Sequence, residues 1–379
     1  MYEPSSENKM FRDAIREYAR RELAPLVDEA EETGIFPKRI FTSLGEQGFL
    51  FPRYPVEMGG GGGDKVTECI LIEEIGYVNC GFAGVVTVQC GIGTQPIYTH
   101  GTEEQKKKYL VPAIRGEMIG AFGLTEPNAG SDAAALKTRA VRDGDAYVIN
   151  GTKMFITNGT ICDFVILAAY TDPAKRGTGI SLFIVEKGTP GFTVSRKLDK
   201  VGIWSAETAE LVFEDCRVPA ANLLGGKEGG GFDILEDTLT SGRLTFAARC
   251  IGTAQAAYDL TVKYAKDRVQ FGKPIASFQA TKFKLADMAM NIDIMRTYVY
   301  SVAELFNKTP AIKKEAAMAK LFCSEAAQKI LVDCMQIHGG YGYMMEYPIQ
   351  RHWRDSRIFT ITEGTSEIQR MVIAREEGY

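Results

Sequence analysis

Asp163-Phe-Val-Ile-Leu-Ala-Ala-Tyr-Thr171 and Ile180-Ser-Leu-Phe-Ile-Val185 are the two runs whose reading decides the fold. Both are short, apolar and rich in β-branched or aromatic residues, and both are bounded by Gly, Pro or Asp, which is the signature of strands. Asp143-Gly144 and Asn150-Gly151 stand between runs of the same kind and read as tight hairpin turns. No long helical pattern separates the strands between Ile119 and about Leu224. The spacing therefore predicts an antiparallel, barrel-like β region and not a βαβ array.

Outward from these strands the periodicity changes. On the N-terminal side Phe11, Ile15, Tyr18, Ala19, Leu23 and Leu26 recur every three or four residues, one face of an amphipathic helix. Pro37 suits the first turn of another helix, and the run Gly59 to Gly63 reads as a mobile loop. On the C-terminal side Phe283, Leu285, Met288, Ile292, Met295 and Val299 predict a helix buried on much of its circumference. The order is helical, β, helical. The expectation is a mainly α protein with a central β domain, divided at 1–118, 119–227 and 228–379.

Bulk properties exclude several classes. A chain of 379 residues exceeds one compact core, and 45% hydrophobic with 24% charged residues is ordinary for a globular protein. A net charge of -4 gives no reason to expect nucleic acid or an anionic membrane as partner. No apolar signal segment opens the chain and no run is long enough to span a bilayer, so a cytoplasmic protein is expected. Eight scattered cysteines without a CxxC pair read as free thiols, and three histidines without ligand spacing predict no metal site.

GxGxxG, GxxxxGK[ST] and GxSxG are all absent, so a nucleotide cofactor would need another cradle. Four segments fit one. Phe122-Gly-Leu-Thr-Glu-Pro-Asn-Ala-Gly-Ser-Asp132 packs turn formers and hydroxyls into one loop, and Lys153-Met-Phe-Ile-Thr-Asn158 sets an aromatic beside a hydroxyl and an amide. Arg268-Val-Gln-Phe-Gly-Lys-Pro274 offers a guanidinium suited to pyrophosphate, and Gln336-Ile-His-Gly-Gly-Tyr-Gly342 ends a helix with glycines that admit a ligand. Each alone reads as an ordinary turn, surface arginine or structural histidine.

In this order, and with Glu363-Gly-Thr-Ser-Glu-Ile-Gln-Arg370, the segments resemble the acyl-CoA dehydrogenase family over nearly the whole chain. The resemblance implies an N-terminal α domain, a β-barrel-like middle domain and a C-terminal four-helix bundle, assembled as a homotetramer. It implies FAD between the β domain and the bundle, with Phe122, Leu124, Thr125 and Ser131 along flavin and acyl-CoA, and Phe155 and Thr157 at the isoalloxazine. Arg268, Phe271, Gln336 and Gly340 would hold the FAD pyrophosphate and adenine from a neighbouring subunit, and Thr365 and Glu367 would touch the FAD nucleotide end. Ser131, Arg243, Thr362 and Gly364 would line the substrate. An electron-transfer flavoprotein is the implied electron acceptor.

The chemistry so implied needs one protein base. Forming a Cα–Cβ double bond beside a thioester removes a proton from Cα and a hydride from Cβ, and no side chain takes a hydride, so flavin N5 must. The base needs a pKa raised towards neutrality, which a carboxylate reaches in an apolar pocket. Glu363 follows Ile358, Phe359 and Ile361 and precedes Gly364, and is the residue expected to take the proton. The competing role for it is a helix N-terminal glutamate facing the dipole. An enoyl-CoA reductase, an acyl-CoA oxidase and a non-catalytic flavin- or CoA-binding partner protein remain open on the same scaffold.

Three positions depart from the family's common pattern: Thr362 for tyrosine, Phe155 for tryptophan and Thr240 for aspartate. Residues 81–102, expected to face the acyl group, contain Thr87, Gly91, Gly93 and Thr94 and no acidic residue. A wide pocket for a short branched or cyclic acyl group, such as cyclohexanecarboxyl, is the expectation. Its competitor is an ordinary short-chain substrate, with Tyr98, Phe82 or Trp204 filling the vacated volume.

Overall fold

The computed structural model describes residues 2–379. The first helix, Ser6–Tyr18, is capped by Ser5, whose hydroxyl accepts the Asn8 N–H at 3.1 Å. Its apolar stripe continues through single turns to Leu26, and Ile15, Tyr18, Ala19, Leu23 and Leu26 are all buried as the periodicity predicts. Helices Lys65–Val78 and Cys80–Cys90 are buried on nearly every side and form the centre of the N-terminal domain.

The five-glycine run is not a mobile loop. Gly59, Gly60, Gly61, Gly62 and Gly63 each donate a backbone hydrogen bond, to Val56, Pro55, Phe51, Tyr54 and Pro52 respectively. The chain folds so tightly on itself that a Cβ at Gly60 would stand 2.3 Å from the Tyr54 carbonyl. Glycine is needed here for close approach, and the run is pinned to the core.

The middle domain is a curled seven-stranded sheet in the order β1-β4-β2-β3-β7-β6, with β5 also on β4. The strands are β1 (Gly120–Gly123), β2 (Arg139–Asp143), β3 (Ala146–Thr157), β4 (Phe164–Tyr170), β5 (Ile180–Glu186), β6 (Phe192–Lys197) and β7 (Thr208–Pro219). The β4–β5, β2–β3, β3–β7 and β6–β7 pairings are antiparallel, whereas β1 and the end of β2 run parallel to β4. Both decisive sequence runs are strands, and β4 is buried along its whole length.

Asp143-Gly144 turns the β2–β3 hairpin as expected, with Asp143 opposite Ala146. Asn150-Gly151 does not turn the chain. It lies inside β3 at a register shift against β7. The Asn150 side chain accepts the Asp215 N–H across the bulge at 2.8 Å, and a Cβ at Gly151 would meet Thr138 Oγ1 at 2.2 Å.

The C-terminal bundle is formed by Gly231–Asp267, Gln279–Lys308, Lys313–His338 and Ser366–Glu377. The second of these buries Met288, Ile292, Met295 and Val299, a single face. Phe283, Met290 and Ile294 of the same helix are exposed, so the expectation of burial around much of its circumference is corrected.

Candidate active site

After a single-turn helix, Arg357–Thr360, the chain reaches Glu363 with φ 58° and Gly364 with φ 85°. Left-handed backbone is costly for a glutamate and cheap for the glycine after it. The pair turns the Glu363 side chain away from the last helix and towards Gly242 of the Gly231–Asp267 helix, where a Cβ would lie 3.4 Å from Glu363 Oε2 and 3.5 Å from Ile92. Thr365 caps the final helix through its hydroxyl, 3.3 Å from the Ile368 N–H, and Glu367 occupies the first turn. Glu363 itself lies outside that turn, which removes the dipole role considered for it.

Some of Glu363 reaches solvent, but Oε2 is sealed and has no hydrogen-bond partner. Burial pushes its pKa up, against the opposing pull of Arg243, Arg249, Lys320 and Lys65. Arg243 and Arg249 are themselves buried, each with an Nε lacking a hydrogen-bond partner. Desolvation lowers the pKa of Arg243 from its usual value. A carboxylate raised by burial, surrounded by cations that do not bond its free oxygen, is suited to accept a proton from a bound molecule.

The backbone of this turn is held from below. Lys320 Nζ, on the Lys313–His338 helix, donates to the Gly364 carbonyl at 2.8 Å. Gln369 Nε2 donates to the same carbonyl at 3.0 Å and to that of Glu363 at 2.8 Å. Thr362 sits beside the base, its N–H bonded to the Ile358 carbonyl at 3.1 Å. Phe82 packs on Phe36 in the core and Tyr98 stacks on Tyr54. Trp204 lies under the Arg354 guanidinium.

The loop after β1 is organised by Glu126, a residue to which the sequence analysis assigns no role. Its buried carboxylate accepts the Lys137 N–H at 2.6 Å, the Thr138 hydroxyl at 2.6 Å and Lys153 Nζ at 2.7 Å. Those bonds hold the Glu126 carboxyl below its usual pKa despite burial, while desolvation lowers Lys153 to about 8. Lys153 also donates to the Leu124 carbonyl at 3.1 Å, and the Met154 N–H to that of Thr125 at 2.8 Å. The Phe122–Asp132 loop and the Lys153–Asn158 segment are thereby one unit. Phe122 is buried, whereas Ser131 is exposed on that loop. Phe155, at a second bulge of β3, has φ 62° and is 67% exposed, and Thr157 ends the strand.

Arg268, Phe271, Gln336 and Gly340 form a separate group. Arg268 follows the Gly231–Asp267 helix and lies 5.2 Å from the centre of the Tyr341 ring, which brings it beside Gly340. Phe271, φ 53°, is 93% exposed at the tip of a small hairpin, and a Cβ at Gly340 would meet nothing within 4 Å. Gln336 is exposed sixteen residues beyond Lys320 on one helix, a separation of about 24 Å at the helical rise. This group and the Glu363 group are therefore at different levels of one chain's bundle.

Lys320, Gln369, Arg249 and Glu126 are the residues that sequence reasoning missed. Gln369 and Glu126 lay inside the quoted motifs, whereas nothing local marks Lys320 or Arg249, whose partners come from distant segments.

Fold and site together define a class: a helical–β–helical protein with a carboxylate whose pKa is raised by burial and which is flanked by buried cations of the helical domains. Three family models match, described as the N-terminal, middle and C-terminal domains of acyl-CoA dehydrogenase, over residues 5–117, 121–216 and 229–377. The chain is 47% identical to a probable acyl-CoA dehydrogenase of Bacillus subtilis, over 99% of each chain. It is 43% identical to a subunit of the caffeyl-CoA reductase–Etf complex of Acetobacterium woodii, over 98% of each. The butyryl-CoA dehydrogenase structure from Megasphaera elsdenii matches with a TM-score of 0.96 and 42% identity, covering 100% of this chain and 99% of that one. The chain belongs to the acyl-CoA dehydrogenase family, flavoprotein oxidoreductases that act on the CH–CH bond of an acyl-CoA.

Proposed function

We propose that this enzyme converts a short acyl-CoA into its 2-enoyl-CoA, with Glu363 removing the α-proton. The observation that carries the reading is the sealed, unpartnered Oε2 of Glu363, with its pKa raised by burial. The cofactor proposed is FAD, which supplies the acceptor for the β-hydride when bound. The residues fit it: exposed Phe155 and Phe271 in left-handed backbone, and open space around Gly339 and Gly340, suit a large planar and anionic ligand. Thr157, Phe122, Leu124, Thr125 and Ser131 would meet its ring and the thioester end, and Thr365 and Glu367 its nucleotide end. Arg243 and the Gly364 turn would border the acyl-CoA.

A short branched or cyclic acyl group is the substrate proposed. Thr362 brings no ring beside the base, and Phe82, Tyr98 and Trp204 are each packed on partners of their own. Lys65 Nζ bonds Ser241 Oγ at 2.9 Å, next to Gly242, and Glu68 at 2.6 Å, with Arg53 3.2 Å from Glu68. Buried charges there are poor company for a long hydrocarbon tail. Electrons would pass to an electron-transfer flavoprotein. The name of the Acetobacterium woodii relative favours a second reading, reduction of an enoyl-CoA by the same groups run in reverse.

The test is direct. Denatured protein should release FAD, and release of FMN or a nicotinamide would remove the reading. The parent should then prefer butyryl-, isobutyryl- or cyclohexanecarboxyl-CoA to octanoyl-CoA in kcat/KM. Thr362→Tyr should cut the cyclic and branched substrates by ~1–3 kcal/mol relative to butyryl-CoA. An octanoyl preference, or a ranking that Thr362→Tyr leaves unchanged, would end the wide-pocket reading.

A further inference from the structure

We propose that Lys320 is a positioning residue for Glu363: from inside the bundle it holds the Gly364 carbonyl and so fixes the left-handed turn that aims the base. The inference rests on Glu363 being the base, as proposed above. A glutamate at φ 58° costs about 1–3 kcal/mol unless its surroundings enforce it. Three donated bonds enforce it here, one from Lys320 and two from Gln369, all to the carbonyls of Glu363 and Gly364.

Lys320 is an expensive way to make one such bond. It is fully buried, desolvation lowers its pKa to about 8, and the hydrogen bond its ammonium makes is to the neutral Gly364 carbonyl. Its ammonium lies 5.3 Å from the Phe246 ring centre. A methionine would fill such a place more cheaply if packing were all that mattered. The charged and titratable groups that act on it are Arg243, Arg249 and Cys250 from the Gly231–Asp267 helix and Glu363 itself. Its charge lowers the pKa of the Glu363 carboxyl, as those of Arg243 and Arg249 do. Lys320 thus acts on the base twice, through the turn and through its field, whereas Gln369 acts through the turn alone.

The experiment compares Lys320→Met, Gln369→Leu and Glu363→Gln with the parent holoenzyme. Two readouts are taken: anaerobic flavin reduction by butyryl-CoA across pH, and the infrared carboxyl band of Glu363, identified by difference against Glu363→Gln. Lys320→Met should slow reduction roughly 10–100-fold, since a base misplaced by about 1 Å costs that much, and should move the Glu363 titration up, because one of the charges that lower it is gone. Gln369→Leu should slow reduction by about tenfold or more and leave the titration unmoved. A Lys320→Met enzyme with unchanged reduction, or with slowed reduction and an unmoved titration, would overturn the proposal. If Lys320→Met does not fold, Gln369→Leu decides the positioning claim: slowed reduction supports it and unchanged reduction overturns it. Should Glu363→Gln itself reduce flavin normally, the assignment of the base fails, and the Glu363 titration in Lys320→Met still reads separately whether Lys320 acts on that carboxyl.

Discussion

Glu363 shows what a side chain gives up in stability to be useful. Its carboxyl is raised in the folded protein, so between its unfolded pKa and the raised value the native state binds the more protons. Stability then falls as pH rises through that window. Glu363→Gln removes the ionisable group and should melt higher than the parent at neutral pH, with the gap closing towards pH values near the unfolded carboxyl pKa. Melting curves of the two proteins across pH check this, and a gap that widened in acid would reverse the assigned shift. The residue was legible because a motif of chemistry-bearing residue types surrounds it in the chain. Lys320 and Arg249 were not, because a lysine or arginine in a helical run looks the same whether it faces solvent or a carbonyl from a distant segment.

Among the elements, the β1 loop and β3 depend on one buried ion pair. Glu126 is tied to Lys153 and to Thr138, and Lys153 in turn to the Leu124 carbonyl. Lys153→Met leaves that carboxylate buried with one cation fewer and should cost about 3–5 kcal/mol in denaturant unfolding, with loss of bound flavin. Glu126→Gln combined with Lys153→Met should recover part of it, because the buried charge is gone. Equal losses in the single and double variants would mean the two do not act as a pair. The strands themselves were readable from β-branched and apolar runs. Asn150-Gly151 misled, because the same dipeptide that turns a hairpin also serves a bulge, and only the close approach of Thr138 distinguishes them. The five glycines misled for a related reason: absence of side chains permits mobility but equally permits the tight backbone packing found there.

At the scale of the whole molecule, the exposed apolar surface is concentrated on the C-terminal bundle. Phe271, Phe283, Met290, Ile294, Tyr343 and Met345 are all exposed in the single chain. Large exposed apolar groups of this number mark an interaction surface. Arg268 lies some 37 Å along helix geometry from the level of Arg243, too far for one extended cofactor to reach both groups easily within one chain. We expect a homotetramer of dihedral symmetry whose neighbouring subunits supply Arg268, Phe271, Gln336 and Gly340 to each other's FAD. Light scattering should give four chains, and Phe271→Ser should lower FAD occupancy without unfolding the protein; a monomer with full FAD occupancy would contradict the arrangement. The three-part order of the chain was plain from the change in periodicity. The single-face burial of the Gln279–Lys308 helix was not, because Phe283 looks like core in sequence while being exposed in one chain.

Whether Glu363 takes the α-proton is decided by mixing parent and Glu363→Gln holoenzymes anaerobically with butyryl-CoA and following the flavin absorbance. The variant should keep FAD and still bind butyryl-CoA, yet bleach about 10²–10⁴-fold more slowly than the parent. A Glu363→Gln enzyme that bleaches at close to the parent rate would contradict that role and require another base.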